Sequence, residues 1–117
     1  MKNFRSGCPI ASTMDLVGDK WTLVIVRDLV NGKSRYNELL DGPEGIPTNI
    51  LASRLKAMEA EGLIRREPYQ EKPRRHAYRL TERGRGLLPV LQAIARWGNA
   101  HIPDTWVPPA AFMRARP

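Results

Sequence analysis

The residues of this sequence that could do chemistry are polar side chains on a segment with helical spacing. Asn49, Ser53 and Lys56 fall on the side opposite Leu51 when each residue advances by about 100°. In the major groove of a DNA duplex, asparagine can pair with both edge atoms of adenine, and lysine can donate to guanine. We therefore expect this side to contact bases. The alternative is an ordinary solvated helix face.

Two neighbouring residues could extend this set. Thr48 lies at the start of the predicted helix, where its hydroxyl or backbone amide could bind a phosphate. Arg54 lies nearer the edge of the core, so it could contact DNA or form an ion pair within the molecule. The predicted DNA-binding residues of this helix are Thr48, Asn49, Ser53, Arg54 and Lys56.

A second cationic group lies in a predicted β-hairpin. Segments 63–67 and 76–81 are read as its two strands, the second with the alternation of a half-buried strand, and Pro73 stiffens the connection between them. Phosphate contacts carry no sequence information, so cations at the hairpin tip would raise affinity more than they select a sequence. The predicted DNA-binding residues of the hairpin are Lys72, Arg74 and Arg75. Three further arginines extend this basic surface or are ordinary solvated strand residues: Arg65, Arg66 and Arg79.

The excess of basic over acidic residues predicts a polyanionic binding partner. The 117 residues include 19 Lys and Arg against 12 Asp and Glu, a formal net charge of +7. Such a charge attracts nucleic acid by summed potential and by counterion release. Double-stranded DNA is the expected partner. A basic RNA-binding or ribosome-associated module is the alternative, although the three tyrosines are too scattered for base stacking. A protein-interaction module without nucleic acid is the third reading.

The sequence argues against an enzyme, a metal site and a membrane protein. It contains no paired carboxylates with a histidine, no phosphate-binding glycine loop and no nucleophile motif. Cys8 is the only cysteine, and His76 and His101 lack a set of ligand partners nearby. We therefore expect no cofactor and no metal. With no long apolar run and no signal-peptide pattern, we expect a cytoplasmic protein.

Local patterns predict the elements that position these residues. Ile10, Met14 and Val17 share one helical stripe, and Pro89 inside the last apolar pattern predicts a bend or a restart. Helices are predicted at residues 9–17, 20–30, within 34–40, about 47–60, and after the capping residue Thr81. The tail from about residue 103 has no apolar stripe and is expected to be loosely held.

This element order is that of a winged helix-turn-helix. The predicted fold is mainly α with a small two-stranded β wing (α+β). The chain is short enough for one core, so we predict a single domain spanning residues 1–117. Residues 1–7 and about 103–117 are predicted to be peripheral arms.

Short motifs distributed over about residues 8–101 carry a resemblance to a known family. They are Cys8-Pro9, Gly18-Asp19-Lys20-Trp21-Thr22, Arg35-Tyr36-Asn37-Glu38-Leu39, Leu51 to Gly62-Leu63-Ile64, Pro73 with Arg75 and Tyr78, Leu80-Thr81-Glu82-Arg83-Gly84, and Leu88-Pro89-Val90-Leu91 through Trp97. With these motifs the chain resembles the HxlR family of bacterial transcriptional regulators, which is related in fold to the MarR-type proteins.

The resemblance implies a homodimer built by the terminal helices. Reading a pseudo-palindromic operator also requires two recognition helices about one duplex turn apart. The predicted dimer interface consists of Ile10, Met14, Leu88, Leu91, Ile94 and Trp97. The alternative for each of them is the core of a monomer.

Cys8 is the candidate sensor. It precedes Pro9 at a helix start, where the helix dipole would favour its thiolate, and Lys2 and Arg5 could lie near it. The resemblance implies a response to a small electrophile or oxidant, as in several family members. With no second cysteine, an intrachain disulfide is impossible. The alternative is a small buried residue that fills the dimer interface.

Overall fold

A computed structural model describes residues 3–117. Its elements are α1 (Pro9–Val17), α2 (Thr22–Val30), α3 (Tyr36–Leu40), α4 (Thr48–Ala60), β1 (Ile64–Glu71), β2 (Arg74–Leu80), α5 (Glu82–Arg85), α6 (Leu88–His101) and α7 (Ala110–Arg114). The predicted fold class is confirmed, because helices enclose one core and the only sheet in the described residues is an antiparallel pair.

Helix α2 lies at the centre of the core. Ile25, Val26 and Leu29 are buried on it, as its nearly all-apolar sequence predicts. Asp19 lies two residues before the N-cap residue Trp21, and one of its carboxylate oxygens accepts from the amides of Trp21 and Thr22, both at 2.9 Å. Burial raises the pKa of Asp19, but the hydrogen bonds from the Thr22 hydroxyl and the two amides outweigh it and leave that pKa lowered. The helix begins at Thr22, two residues later than predicted.

The core also fixes helix α4. Leu51, Leu55 and Met58 form its buried stripe, as the spacing predicts. They belong to the same cluster as Val26 of α2 and Ile64 of β1. Because one full side of α4 is buried in this way, its opposite side must face outward.

The hairpin, which we call the wing (residues 64–80), is longer than predicted. Pairing runs from Ile64 opposite Leu80 to Glu71 opposite Arg74, so only two residues remain at the tip. The expectation that residues 68–75 form a connection is therefore wrong. An irregularity in the register between Pro68 and Gln70 accommodates the proline, which has no N–H to donate.

The base of the wing is bonded to the core at two places. The Tyr78 amide donates to the Ser34 carbonyl at 2.7 Å, and Arg35 forms an isolated bridge with Ala77. Directly after β2, the Thr81 hydroxyl donates to the Gly62 carbonyl at 2.6 Å. These bonds hold β2 and the residue that follows it against the segments before α3 and after α4.

The predicted long C-terminal helix is two helices. The Thr81 hydroxyl accepts from the Gly84 amide at 3.1 Å and caps α5, which confirms the predicted cap. A Cβ at Gly84 would lie 2.1 Å from the Leu63 carbonyl oxygen, so only glycine fits there. Pro89 lies in the first turn of α6, where its missing N–H costs no helical bond. This is the restart that the proline predicts.

The expectation of a loosely held tail is wrong for residues 110–115. Phe112 of α7 is buried in the core cluster. The buried Gln92 side-chain amide donates to the carbonyls of Phe112, at 3.0 Å, and Ala115, at 2.9 Å. These long-range contacts cannot be read from local periodicity.

Candidate nucleic-acid interface

The outward side of α4 is polar and exposed. Thr48, Asn49, Ser53 and Lys56 are all exposed, as their positions opposite the buried stripe predict. Ala52 is also exposed on this helix, so small and polar groups alternate on it. Such a surface presents hydrogen-bonding groups without bulky obstruction, which suits the edges of base pairs.

Arg54 differs from the other predicted residues of α4. Its guanidinium Nη1 lies 3.7 Å from the Asp19 carboxylate, and its side chain is only 33% exposed. This contact favours the ion-pair alternative stated above. Arg54 would have to leave Asp19 before it could bind a phosphate.

Polar bonds also fix the turn that precedes α4. The Tyr36 hydroxyl donates to the Thr48 carbonyl at 2.7 Å and so joins α3 to the first turn of α4. Arg27 forms a bidentate pair with Glu44, with both N···O distances 2.8 Å, and also bonds Asp28. The hydrogen bond from Arg27 lowers the pKa of Glu44 and outweighs the effect of partial burial, while the same bond raises the pKa of Arg27.

The cations near the wing tip are exposed and only weakly paired. Arg74 lies 3.3 Å from Glu71, and both side chains are mostly exposed, so this pair contributes about 0–1 kcal/mol. Within residues 3–117, no carboxylate lies at salt-bridge distance from Lys72 or Arg75. These three side chains can therefore reorient toward an external anion.

The arginines at the base of the wing are held within the molecule. Arg65 and Arg79 both contact Glu67, at 2.7 and 3.3 Å, and Arg66 contacts Glu59 at 3.0 Å. These pairs favour the reading of ordinary strand residues over an extended phosphate surface. The bond from Arg66 to α4 also places the wing beside that helix.

The prediction from sequence missed Arg35. Its guanidinium lies 4.3 Å from the centre of the Tyr69 ring, a cation–π contact between the start of α3 and the wing. A groove of about 610 Å³ lies between these elements, lined partly by Arg35, Arg74 and Arg75. The position of Arg35 before a short helix is visible in the sequence, but the folding back of the wing onto it is not.

The predicted dimer residues divide into two groups. Ile10, Met14, Ile94 and Trp97 are exposed, with Trp97 62% exposed. Leu88 and Leu91 are only 3% and 8% exposed and belong to the core, so their prediction as interface residues is wrong. They lie on the side of α6 that packs against the centre of the molecule, where little of their surface remains to be covered.

Cys8 is an exposed thiol at the N-terminal end of α1. Its amide donates to the Ser6 hydroxyl at 3.2 Å. Arg5 forms an ion pair with Asp15 at 2.6 Å, and Lys2 lies outside the described residues. Exposure in the single chain leaves this thiol accessible to reagents unless a second copy covers it.

Across residues 3–117, no helix has the length and apolar character needed to cross a membrane. In the same range, no three His, Cys, Asp or Glu residues are grouped so that they could hold a metal ion.

Comparison with known proteins gives consistent matches. The sequence model of the HxlR-like helix-turn-helix family matches residues 16–105. An HTH-type transcriptional regulator of Mycobacterium tuberculosis is 39% identical over 103 residues, which are 88% of this chain and 65% of that protein. The chain thus spans just under two thirds of the length of that relative.

Solved structures show the same similarity. The crystal structure of PA1607 has a TM-score of 0.78 and 38% identity, and the match covers 87% of this chain and 72% of that one. The redox regulator HypR in its oxidised form has a TM-score of 0.73 and 34% identity, and the match covers 80% of this chain and 97% of HypR. The arrangement of helices and wing is therefore that of winged-helix regulators.

The Arg27–Glu44 pair generates a prediction about stability and pH. Replacing Glu44 with glutamine should lower the free energy of unfolding by about 1 kcal/mol at neutral pH, because the bidentate pair is lost. Since the folded-state pKa of Glu44 is lowered, its contribution is full above the unfolded-state pKa. This contribution to stability disappears as the pH falls through the folded-state pKa of Glu44. Denaturant unfolding at pH 7 and near pH 3 measures both effects.

Asp41→Asn provides the matched control for this prediction. Asp41 lies in the same turn, and within residues 3–117 its carboxylate forms no ion pair. The control should change stability much less than Glu44→Gln. Equal losses from both variants, or a difference that persists unchanged at pH 3, would contradict the role given to the pair.

Proposed function

This chain belongs to the HxlR-like helix-turn-helix family, and from that premise we propose that it is a sequence-specific transcriptional regulator that binds double-stranded DNA as a homodimer. The observation that carries the proposal is the exposed polar side of α4 beside a cationic wing. Helix-turn-helix proteins place such a helix in the major groove.

Each residue of the α4 surface has a proposed role. Asn49 and Lys56 contact base edges, because amide and ammonium groups match adenine and guanine. Thr48 binds a phosphate at the helix start, and Ser53 lies between the two base-reading residues. Arg54 contacts the duplex only if a phosphate displaces the Asp19 carboxylate from its guanidinium group.

The wing has a different proposed role. Lys72, Arg74 and Arg75 lie along the sugar-phosphate backbone and supply affinity that depends little on sequence. Their exposure and weak pairing support this role, since few internal contacts must be broken on binding. Specificity then resides in α4, and general affinity resides largely in the wing.

Substitutions in α4 and in the wing should therefore have different effects on DNA binding. Asn49→Ala should reduce discrimination at one base pair by about 1–3 kcal/mol. The double variant Arg74→Gln with Arg75→Gln should weaken binding to all duplexes alike. It should also flatten the plot of log affinity against log salt by about one unit per lost phosphate contact. Fluorescence anisotropy on a selected duplex and a scrambled duplex at several salt concentrations measures both.

The matched control for the wing is Arg83→Gln with Arg114→Gln, which removes the same charge elsewhere on the exposed surface. It should leave the salt slope nearly unchanged. An unaltered slope in the wing variant would argue against its role. Tighter binding to single-stranded RNA than to any duplex, in direct competition, would favour the RNA-binding alternative instead.

The proposed dimer forms through the exposed apolar residues of α1 and α6. Ile10, Met14, Ile94 and Trp97 are too exposed to contribute much to the core of one chain. A second copy would cover them and place two α4 helices about 34 Å apart, one turn of the duplex. This arrangement fits a pseudo-palindromic operator.

Trp97→Ala should raise the dimer dissociation constant at least tenfold, because a large aromatic residue at the centre of an interface contributes about 2 kcal/mol or more. Sedimentation equilibrium measures the change. Trp106→Ala is the matched control, since Trp106 is 79% exposed and lies outside the proposed interface. If the protein is monomeric at high concentration, or if both variants weaken the dimer alike, this interface is incorrect.

We further propose that Cys8 responds to an oxidant or electrophile. Its exposure supports this role, and the similar protein HypR is a redox regulator. A hydroperoxide would take two electrons from the thiolate, giving a sulfenic acid and, after protonation, an alcohol. A small thiol or the Cys8 thiol of a second copy would then displace water and form a disulfide.

Treatment with cumene hydroperoxide followed by mass spectrometry tests this chemistry. We expect a sulfenic acid or a disulfide at Cys8 and a change in duplex affinity, whereas Cys8→Ser should bind the duplex but lose the response. A Cys8 thiol that stays unmodified near neutral pH would remove the sensor role and leave the DNA-binding proposal standing.

A further inference from the structure

A cavity of about 360 Å³ lies away from the exposed side of α4. Its walls come from the C-terminal end of α2, the base of the wing, the α5–α6 segment and residues 115–117. Its volume falls within the range of small-molecule sites, about 300–1,000 Å³.

The cavity is strongly cationic. Five lining side chains carry positive charge, namely Lys33, Arg65, Arg79, Arg85 and Arg116, and none of the lining side chains is acidic. Glu67 balances part of this charge from outside the lining, since it contacts both Arg65 and Arg79. Lys33 and Arg85 donate to backbone carbonyls, and within residues 3–117 neither forms an ion pair.

One side of the cavity is apolar. Leu29, Leu80 and Leu88 belong to the hydrophobic core and also reach the cavity wall, together with Val30 and the half-buried Tyr78. A ligand that satisfies both sides would place a hydrophobic body against the leucines and an anionic group among the guanidinium groups.

The remaining wall lies beyond the residues that the family match covers. That match ends at residue 105, whereas Ala115, Arg116 and Pro117 form one side of this open cavity. This segment is held in place by the Gln92 bond to the Ala115 carbonyl and by the buried Phe112. The cavity is therefore a feature of how this tail packs, in addition to the shared winged-helix frame.

We propose that this cavity binds a small organic anion, with an aromatic or aliphatic body and one carboxylate group. Arg116 contacts the carboxylate from the tail, and Arg79 contacts it from β2, where the ligand takes the place of Glu67. Leu29 and Leu88 contact the body. The binding does not require DNA, so it can be measured on the free protein.

Benzoate is the probe for the first test. Isothermal titration calorimetry on the free chain should show saturable binding of benzoate and much weaker binding of benzyl alcohol, which has a similar body without the charge. Acetate and inorganic phosphate should also bind more weakly than benzoate, because they lack the apolar part. Tighter binding of phosphate than of benzoate, or no saturable benzoate binding, would overturn the proposal.

Arg116→Gln and Arg114→Gln form a matched pair two residues apart. Only Arg116 lines the cavity, and both residues are exposed. Arg116→Gln should weaken benzoate binding about fivefold to tenfold, as expected for one charge-assisted hydrogen bond, while Arg114→Gln should leave it unchanged. Equal effects of the two variants would show general charge attraction and contradict a built site.

Arg79→Gln tests the contact from β2 and should weaken benzoate binding by a smaller factor than Arg116→Gln, because Arg79 gives up its contact with Glu67 to bind the ligand. Thermal unfolding of each variant establishes that the fold is intact, because Arg79 also contacts Glu67. If Arg116→Gln lowers duplex affinity and leaves benzoate binding unaltered, the cavity serves a DNA phosphate and the small-anion proposal fails. Loss of benzoate binding in a chain that still binds duplex would leave the proposed function intact.

Discussion

Burial of one stripe of α4 is the constraint on which the proposed interface depends. Leu51, Leu55 and Met58 are almost inaccessible to solvent, so the helix cannot rotate about its axis without exposing them. A rotation of half a turn would also bury Asn49 and Lys56 without partners, and an unpaired buried charge is very unfavourable. The free energy of the core therefore determines which side chains face outward, before any contact with a nucleic acid is considered.

The buried stripe fixes the rotation of α4 about its axis, but not its position relative to its neighbours. Three polar contacts fix that position. The Arg27–Glu44 pair holds the turn before α4, the Tyr36 hydroxyl joins α3 to Thr48, and the Tyr78 amide bonds Ser34 at the base of the wing. These contacts link α2, α3, α4 and the wing in series. Because a base pair is read by hydrogen bonds with narrow geometry, such fixed spacing matters more for recognition than for stability.

The sequence predicts most of this frame because the relevant signals are local. The apolar spacing of Leu51, Leu55 and Met58, the Thr81 cap and the restart at Pro89 each involve residues a few positions apart. The failures involve distant partners. The pattern predicts Leu88 and Leu91 as interface residues because apolar residues of a core and of an interface look alike in sequence. Docking of the five-residue α7 depends on Gln92 and Phe112, 20 residues apart. The expected connection at residues 68–75 is mostly paired strand, and only Lys72 and Pro73 lie between the strands.

The ion pairs show how much of the positive charge of this chain is engaged within the molecule. Seven arginines within residues 3–117 form ion pairs: Arg5, Arg27, Arg54, Arg65, Arg66, Arg74 and Arg79. Most of them join elements of the frame, so a large share of the positive charge acts internally. Lys56, Lys72 and Arg75 are exposed and have no such partner in that range. Since binding of phosphate by a paired arginine must first break its ion pair, the unpaired cations bind an external polyanion at lower cost. The net charge thus indicates the class of partner, and the ion pairs show which part of that charge is already engaged within the molecule.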